Sequence, residues 1–175
     1  MAHTRNIRII CLTALTCLVG SIGYGSDEKG IPAMAAKKTV SGNDAVGRLE
    51  LLSTFKGKIT ELIDFGDTPV GKRYDVFFEG VLAGEKISGT MRGVDYIIVR
   101  SDEVSELNVR AVITTDDEVN ISVQISGYLH NNEIRDASMK LMTGHKKYAW
   151  LTSKIIVGKG KLGPEGLEIN YFFEP

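Results

Sequence analysis

The feature that most constrains this chain is an alternation of apolar and polar residues with a period of two, which begins at Arg48 and continues almost to the C terminus. Successive side chains of an extended strand point to opposite faces, so each such run reads as a strand with one buried face. The clearest run is 119–126 (VNISVQIS), where Val119, Ile121, Val123 and Ile125 face one way and Asn120, Ser122, Gln124 and Ser126 the other. The same reading gives strands over 48–55, 57–64, 73–82, 85–91, 94–100, 104–115, 148–158 and 166–173. Turn-forming clusters separate them: GDTPVG at 66–71, the pair Asp116-Asp117, and GKGKLGPE before the last strand. Residues 131–137 (NNEIRDA) read as a loop or one helical turn. No segment keeps a helical period beyond about two turns, less than an ordinary helix.

Many short strands joined by Gly-rich turns make a sandwich or a barrel. The pairing of 19 Gly with only 4 Pro in 175 residues fits tight turns without stiff linkers. The strands follow one another through short connections, which favours an up-and-down barrel over residues 48–175. The uncharged polar face of 119–126 is then either a polar lumen able to hold a ligand or a solvated outer face.

The N terminus has a different character. Arg5 and Arg8 precede an uncharged apolar stretch from Ile9 to Gly20, and Gly23 and Gly25 stand at the −3 and −1 positions before Ser26. Residues 1–25 therefore read as a secretory signal, and 26–47 as a polar, flexible leader. The expected product is exported, to the periplasm or beyond. Cleavage would remove both cysteines, Cys11 and Cys17, so the mature chain would have no disulfide and no thiolate chemistry. It would hold no stable membrane insertion. A net charge of −1 argues against nucleic acid or an acidic membrane as partner.

Several motifs resemble one family when taken in order. They are Gly66, Thr68-Pro69 and Gly71; Gly80 and Gly89; Gly93-Val94-Asp95-Tyr96; Arg100-Ser101-Asp102; Arg110; Thr115-Asp116-Asp117; Gly127; Tyr148-Ala149-Trp150-Leu151; and Val157-Gly158-Lys159-Gly160. Across about residues 48–174 the chain resembles domain of unknown function 3237, also called uncharacterised protein family 0311. The resemblance implies an all-β fold, a single closed antiparallel β-barrel of calycin or allene-oxide-cyclase-like character with a central cavity. It implies no established activity. Thr152 stands where the family usually has Asn, and His145-Lys146-Lys147 where it usually has an acidic or Pro-containing turn.

The candidate site residues follow from chemistry at strand positions. Asp95 and Arg110 each interrupt an apolar strand, and a charge facing inward must be paired. They either pair at a cavity mouth or face solvent. Arg110 is suited to hold an acidic group bidentately. Tyr148 and Trp150, two apart, would share a face in an extended strand and form an aromatic wall or ordinary core. Asn120, Ser122 and Gln124 would offer hydrogen bonds inside a polar lumen. Asp95, Asp116 and His145 are the candidate proton carriers. Two histidines after cleavage, with no Cys, make no zinc set, and no cofactor is expected. Gly158, Gly160 and Gly163 match a dinucleotide fingerprint in spacing, but Pro164, Gly166 and a strand follow in place of a helix, so they read as a hairpin.

Three functions fit these residues: an exported barrel binding a small, partly apolar and acidic organic molecule; a cofactor-free cyclase, isomerase or lyase working by acid/base chemistry; or a structural envelope protein. An edge strand closed by a second chain leaves a homo-oligomer open.

Overall fold

The computed structural model describes residues 47–175. The expected signal segment, and the leader up to residue 46, lie outside the described residues. Eight strands follow one another around a closed antiparallel barrel: β1 (Glu50–Thr68), β2 (Gly71–Ala83), β3 (Gly89–Val99), β4 (Ser105–Thr115), β5 (Asn120–His130), β6 (Glu133–Met142), β7 (Ile156–Gly163) and β8 (Gly166–Phe173). The ring closes where β1 pairs with β8, from Glu50↔Phe173 to Gly57↔Leu167.

The runs read as 48–55 and 57–64 are one strand, β1. It passes through Gly57 without a break because Gly57 lies opposite Gly80 on β2, and the ring of Phe55 covers both. A side chain on either glycine would collide with that ring or with neighbouring backbone. β1 bulges after Ile59 and again after Asp64, which adds twist as it leaves β8 behind.

Residues 131–137 are neither loop nor helix. Asn131 and Asn132 both have positive φ, 50° and 63°, and make a two-residue hairpin between His130 and Glu133. The rest of the segment opens β6, where Ile134, Ala137, Met139 and Leu141 are buried. The expected strand 148–158 is also divided. Its first part is a 3-10 helix, η1 (Lys146–Ser153), and only its last residues join β7. Residues three apart share a face of a 3-10 helix, so Tyr148 and Leu151 point inward together. Both are buried in the core.

The inward faces of the strands are mostly apolar, with Asp95 on β3 the charged exception. On β5, Ile121, Val123 and Ile125 look in, while Asn120, Ser122 and Gln124 are exposed. The solvated-face alternative therefore holds, and there is no polar lumen. Burying those hydroxyl and amide groups without partners would cost several kcal/mol in total, at about 1–3 each.

The ends of the ring differ. At the end carrying the β2–β3 and β4–β5 turns, η1 packs under the core as a plug. Asp117, in the β4–β5 turn, latches it. Its Oδ1 accepts the Tyr148 hydroxyl at 2.6 Å and the Thr115 hydroxyl at 2.7 Å. Its Oδ2 pairs with the Lys147 ammonium at 2.7 Å.

Two outcomes test this account. Phe55→Ala should lower the free energy of unfolding by about 3–5 kcal/mol in denaturant titration, since it removes a buried ring and leaves a cavity. The Lys147, Thr115 and Tyr148 contacts hold the Asp117 carboxyl well below its ordinary value. A depressed carboxyl stabilises the fold at every pH above its unfolded value, and that contribution is lost only as pH falls through the folded value. Asp117→Asn should therefore speed amide exchange across residues 146–153 at neutral pH, with little change in β4 and β5.

Candidate functional site

At the opposite end the lumen is not filled. A cavity of about 250 Å³ opens there, lined almost wholly by apolar side chains that include Val76, Phe78, Val109 and Ile125. β1 runs past the end of β8 on this side, so Ile59 and Leu62 line the cavity while remaining 43% and 48% exposed. They form its rim. A larger recess of about 1060 Å³ lies over the wall around Lys56 and Glu168, a broad surface depression lined by charged side chains, some of them paired across it. Lys56 pairs with Glu168 at 3.7 Å and Lys58 with Glu79 at 3.2 Å. The lumen cavity, in which polar groups are few and point inward, has the chemistry of a ligand site.

Among the described residues, Asp95 is the one charged side chain in its lining. The β3 register places it between Val76 of β2 and Val109 of β4, both on the cavity wall. The β3–β4 ladder pairs Asp95 with Val109 and resumes at Ile98↔Glu106. In the interval the Asp95 Oδ1 accepts the Asn108 backbone N–H at 2.8 Å, a side chain standing in for a ladder bond. Burial pushes the Asp95 carboxyl up to about 6, against the opposing pull of that N–H and of the Arg73 charge.

Arg73 itself is not in the cavity. It stands on the outer face of β2, paired with Asp75 at 2.5 Å. Its guanidinium lies over the rings of Phe65 and Tyr96, 5.5 and 5.3 Å from their centroids, and donates to the Ile97 carbonyl at 3.3 Å. The remaining polar lining comes from Tyr74, Ser105 and Tyr171. Burial holds the Tyr171 hydroxyl far above the ordinary phenol range, so it is a neutral donor at any physiological pH.

Of the residues singled out in the sequence, only Asp95 reaches this cavity. Arg110 pairs in register with Val94, one position away from Asp95, and so projects outward. There it donates to the Asn108 side chain at 2.9 Å and to the Val109 carbonyl at 3.0 Å. Asp95 and Arg110 are on adjacent strands but opposite faces, and they do not pair. Asn120 and Gln124 lie on the outer face; the Asn120 Oδ1 accepts the Thr114 hydroxyl at 2.9 Å. Asp116, His145, Tyr148 and Trp150 belong to the plugged end. Asp116 is exposed and accepts the Ser88 hydroxyl at 2.5 Å. His145 is the exposed residue before η1, its ring 6.0 Å from that of Tyr148. Because η1 is helical, Tyr148 and Trp150 do not share a face. Tyr148 is buried in the plug, and Trp150 packs outside against Phe173 at 5.3 Å.

Tyr74 and Tyr171 were legible in the period-two pattern. Tyr74 falls in phase with Val76 and Phe78, and Tyr171 with Ile169 and Phe173. Among the described residues no three His, Cys, Asp or Glu side chains come together as a metal set, and no helix is long and apolar enough to cross a membrane.

Comparison with known proteins places this architecture. A β-barrel-like protein from Acinetobacter baumannii superposes with a TM-score of 0.67 at 22% identity, covering 72% of this chain and 94% of that one. A protein of unknown function from Clostridium acetobutylicum gives the same score and identity over 73% of this chain and 99% of its own. An enzyme from Penicillium herquei superposes with a TM-score of 0.62 at 19% identity, over 74% and 95% of the two chains. At such identities the likeness is one of fold. No curated protein matches the chain significantly. The profile of one family, described as a protein of unknown function, matches residues 47–173, the whole barrel, and the chain therefore belongs to the DUF3237 family.

Proposed function

We propose that the open half of the barrel binds a small, largely apolar organic molecule, with Asp95 as the group that orients it. The observation that carries this reading is the apolar cavity of about 250 Å³ holding a single buried carboxyl. A packed structural barrel has no use for a desolvated carboxylate, whereas a binding site needs a few placed polar groups in an apolar wall. Tyr74 and Tyr171 add hydroxyl-bearing side chains to the lining.

A second reading has its own support. A carboxyl raised to about 6 sits close to neutral pH, where a group can both take and return a proton. In this reading the barrel is a cofactor-free isomerase, cyclase or lyase. The Asp95 carboxylate removes a proton from the bound molecule and, as the acid, delivers it back at another atom. The Penicillium herquei enzyme shows that a barrel of this shape can house catalysis, a fold-level analogy. The charged-then-apolar pattern of residues 1–25 supports export of the mature barrel.

Two measurements test the site. Native mass spectrometry of the exported protein, followed by denaturing extraction, should find an organic molecule bound in stoichiometric amount. Val109→Trp, which projects a large ring into the cavity, should abolish that occupancy while the far-ultraviolet spectrum stays that of the barrel; unchanged occupancy would place the ligand elsewhere.

The protonation of Asp95 is read by stability. Its folded value, about 6, lies above the ordinary carboxyl value of 3.8, so the native state binds the extra proton between these limits. Stability then falls as pH rises through that window, and the cost is complete above it. Asp95→Asn should raise the stability at neutral pH by on the order of 2–3 kcal/mol, with the difference vanishing near pH ~4. Carboxyl NMR should show the same titration directly, and an Asp95 value near that of a free side chain would end the proton-carrier reading.

A further inference from the structure

The charge pattern around the cavity selects among its occupants. This inference rests on the lumen-binding reading and narrows it. Among the described residues, no Lys, Arg or His lines the cavity. The cation nearest in effect, Arg73, is on the far side of the β2 wall and already bound to Asp75. Arg110, which in the sequence looked suited to an acidic group, faces outward as well. The Asp95 Oδ1 holds one backbone N–H, from Asn108, which leaves acceptor capacity on a carboxylate that can take several hydrogen bonds.

We propose that the natural occupant meets Asp95 with an uncharged or cationic hydrogen-bond donor, an O–H or N–H on an apolar skeleton, and that the lumen excludes carboxylates and other anions. An anion placed there would lose its hydration without gaining a counter-charge, and would stand beside a second negative group. A donor makes the opposite change: it gives Asp95 the partner that desolvation removed. Tyr74 and Tyr171 add neutral hydroxyls elsewhere in the lining and do not reverse that preference.

The test uses four probes that share one skeleton: naphthalene, naphthol, naphthylmethylamine and naphthoate. Binding to the intact protein at neutral pH is followed by calorimetry and by the NMR shifts of the Val109 and Ile125 methyl groups. Naphthol and naphthylmethylamine should bind at least as tightly as naphthalene, and naphthoate about tenfold or more weaker. In Asp95→Asn the gap between the amine and the carboxylate should narrow from both sides, through loss of amine affinity and relief of the repulsion on naphthoate. If naphthalene binds but naphthoate matches the amine in the wild-type protein, the lumen site stands and the donor preference is wrong. If none of the four moves the lumen methyl signals, the lumen-binding reading and the preference that rests on it fall together.

Discussion

The hydrogen-bonded junction of β1 with β8 is the interaction on which the other features rest. Without it the eight strands would form a twisted open sheet with two exposed edges, each carrying unpaired backbone groups. With it, an inside is defined, and alternation along each strand acquires a single meaning: one phase packs, the other is solvated. The junction is limited to Glu50–Gly57 on β1. Beyond that point β1 continues against β2 alone, and the wall is incomplete. The same short junction therefore both closes the ring and leaves the mouth through which Ile59 and Leu62 are seen by solvent.

The two halves of the lumen solve different problems. The half above η1 is packed by large side chains such as Leu52, Phe55, Met91 and Met139, all about 1% exposed. Tyr148 and Leu151 close it, and Asp117 ties the closure to a neighbouring turn. The other half keeps a void and a carboxyl whose burial opposes stability. That opposition is confined to one residue, held in place by a backbone N–H from the adjoining strand. Rigid packing at one end supports an unfilled, less favourable arrangement at the other, a division expected where function and stability compete for the same interior.

The fold was legible in the sequence because period-two alternation is a local property and survives without knowledge of partners. The interior of β5 could be read directly from Ile121, Val123 and Ile125. Register is not local. Asp95 and Arg110 look like a pair until it is known that Asp95 opposes Val109, a difference of one position that sends the two charges to opposite faces. The turn at Asn131-Asn132 carried a usable signal, two residues tolerant of positive φ between alternating runs, yet the charges of Glu133, Arg135 and Asp136 masked the strand that follows. Residues 148–153 alternate no better as a strand than as a helix; their packing beneath the barrel decided the matter. Of the candidate site, Asp95 was visible as a charge in an apolar run, whereas Tyr74 and Tyr171 could be read as inward-facing but carried nothing to set them apart from ordinary core positions.

The register that pairs Glu50 with Phe173 brings the first and last strand residues to neighbouring positions, one strand spacing of about 4.8 Å apart. Around the ring there is thus no first strand in any physical sense. A peptide bridging those two ends, with the chain cut instead in the Asn131-Asn132 hairpin, would describe the same barrel with a permuted order of strands. The cut would fall at the cavity end and leave the η1 plug untouched. The molecule is a circle that the gene happens to write as a line.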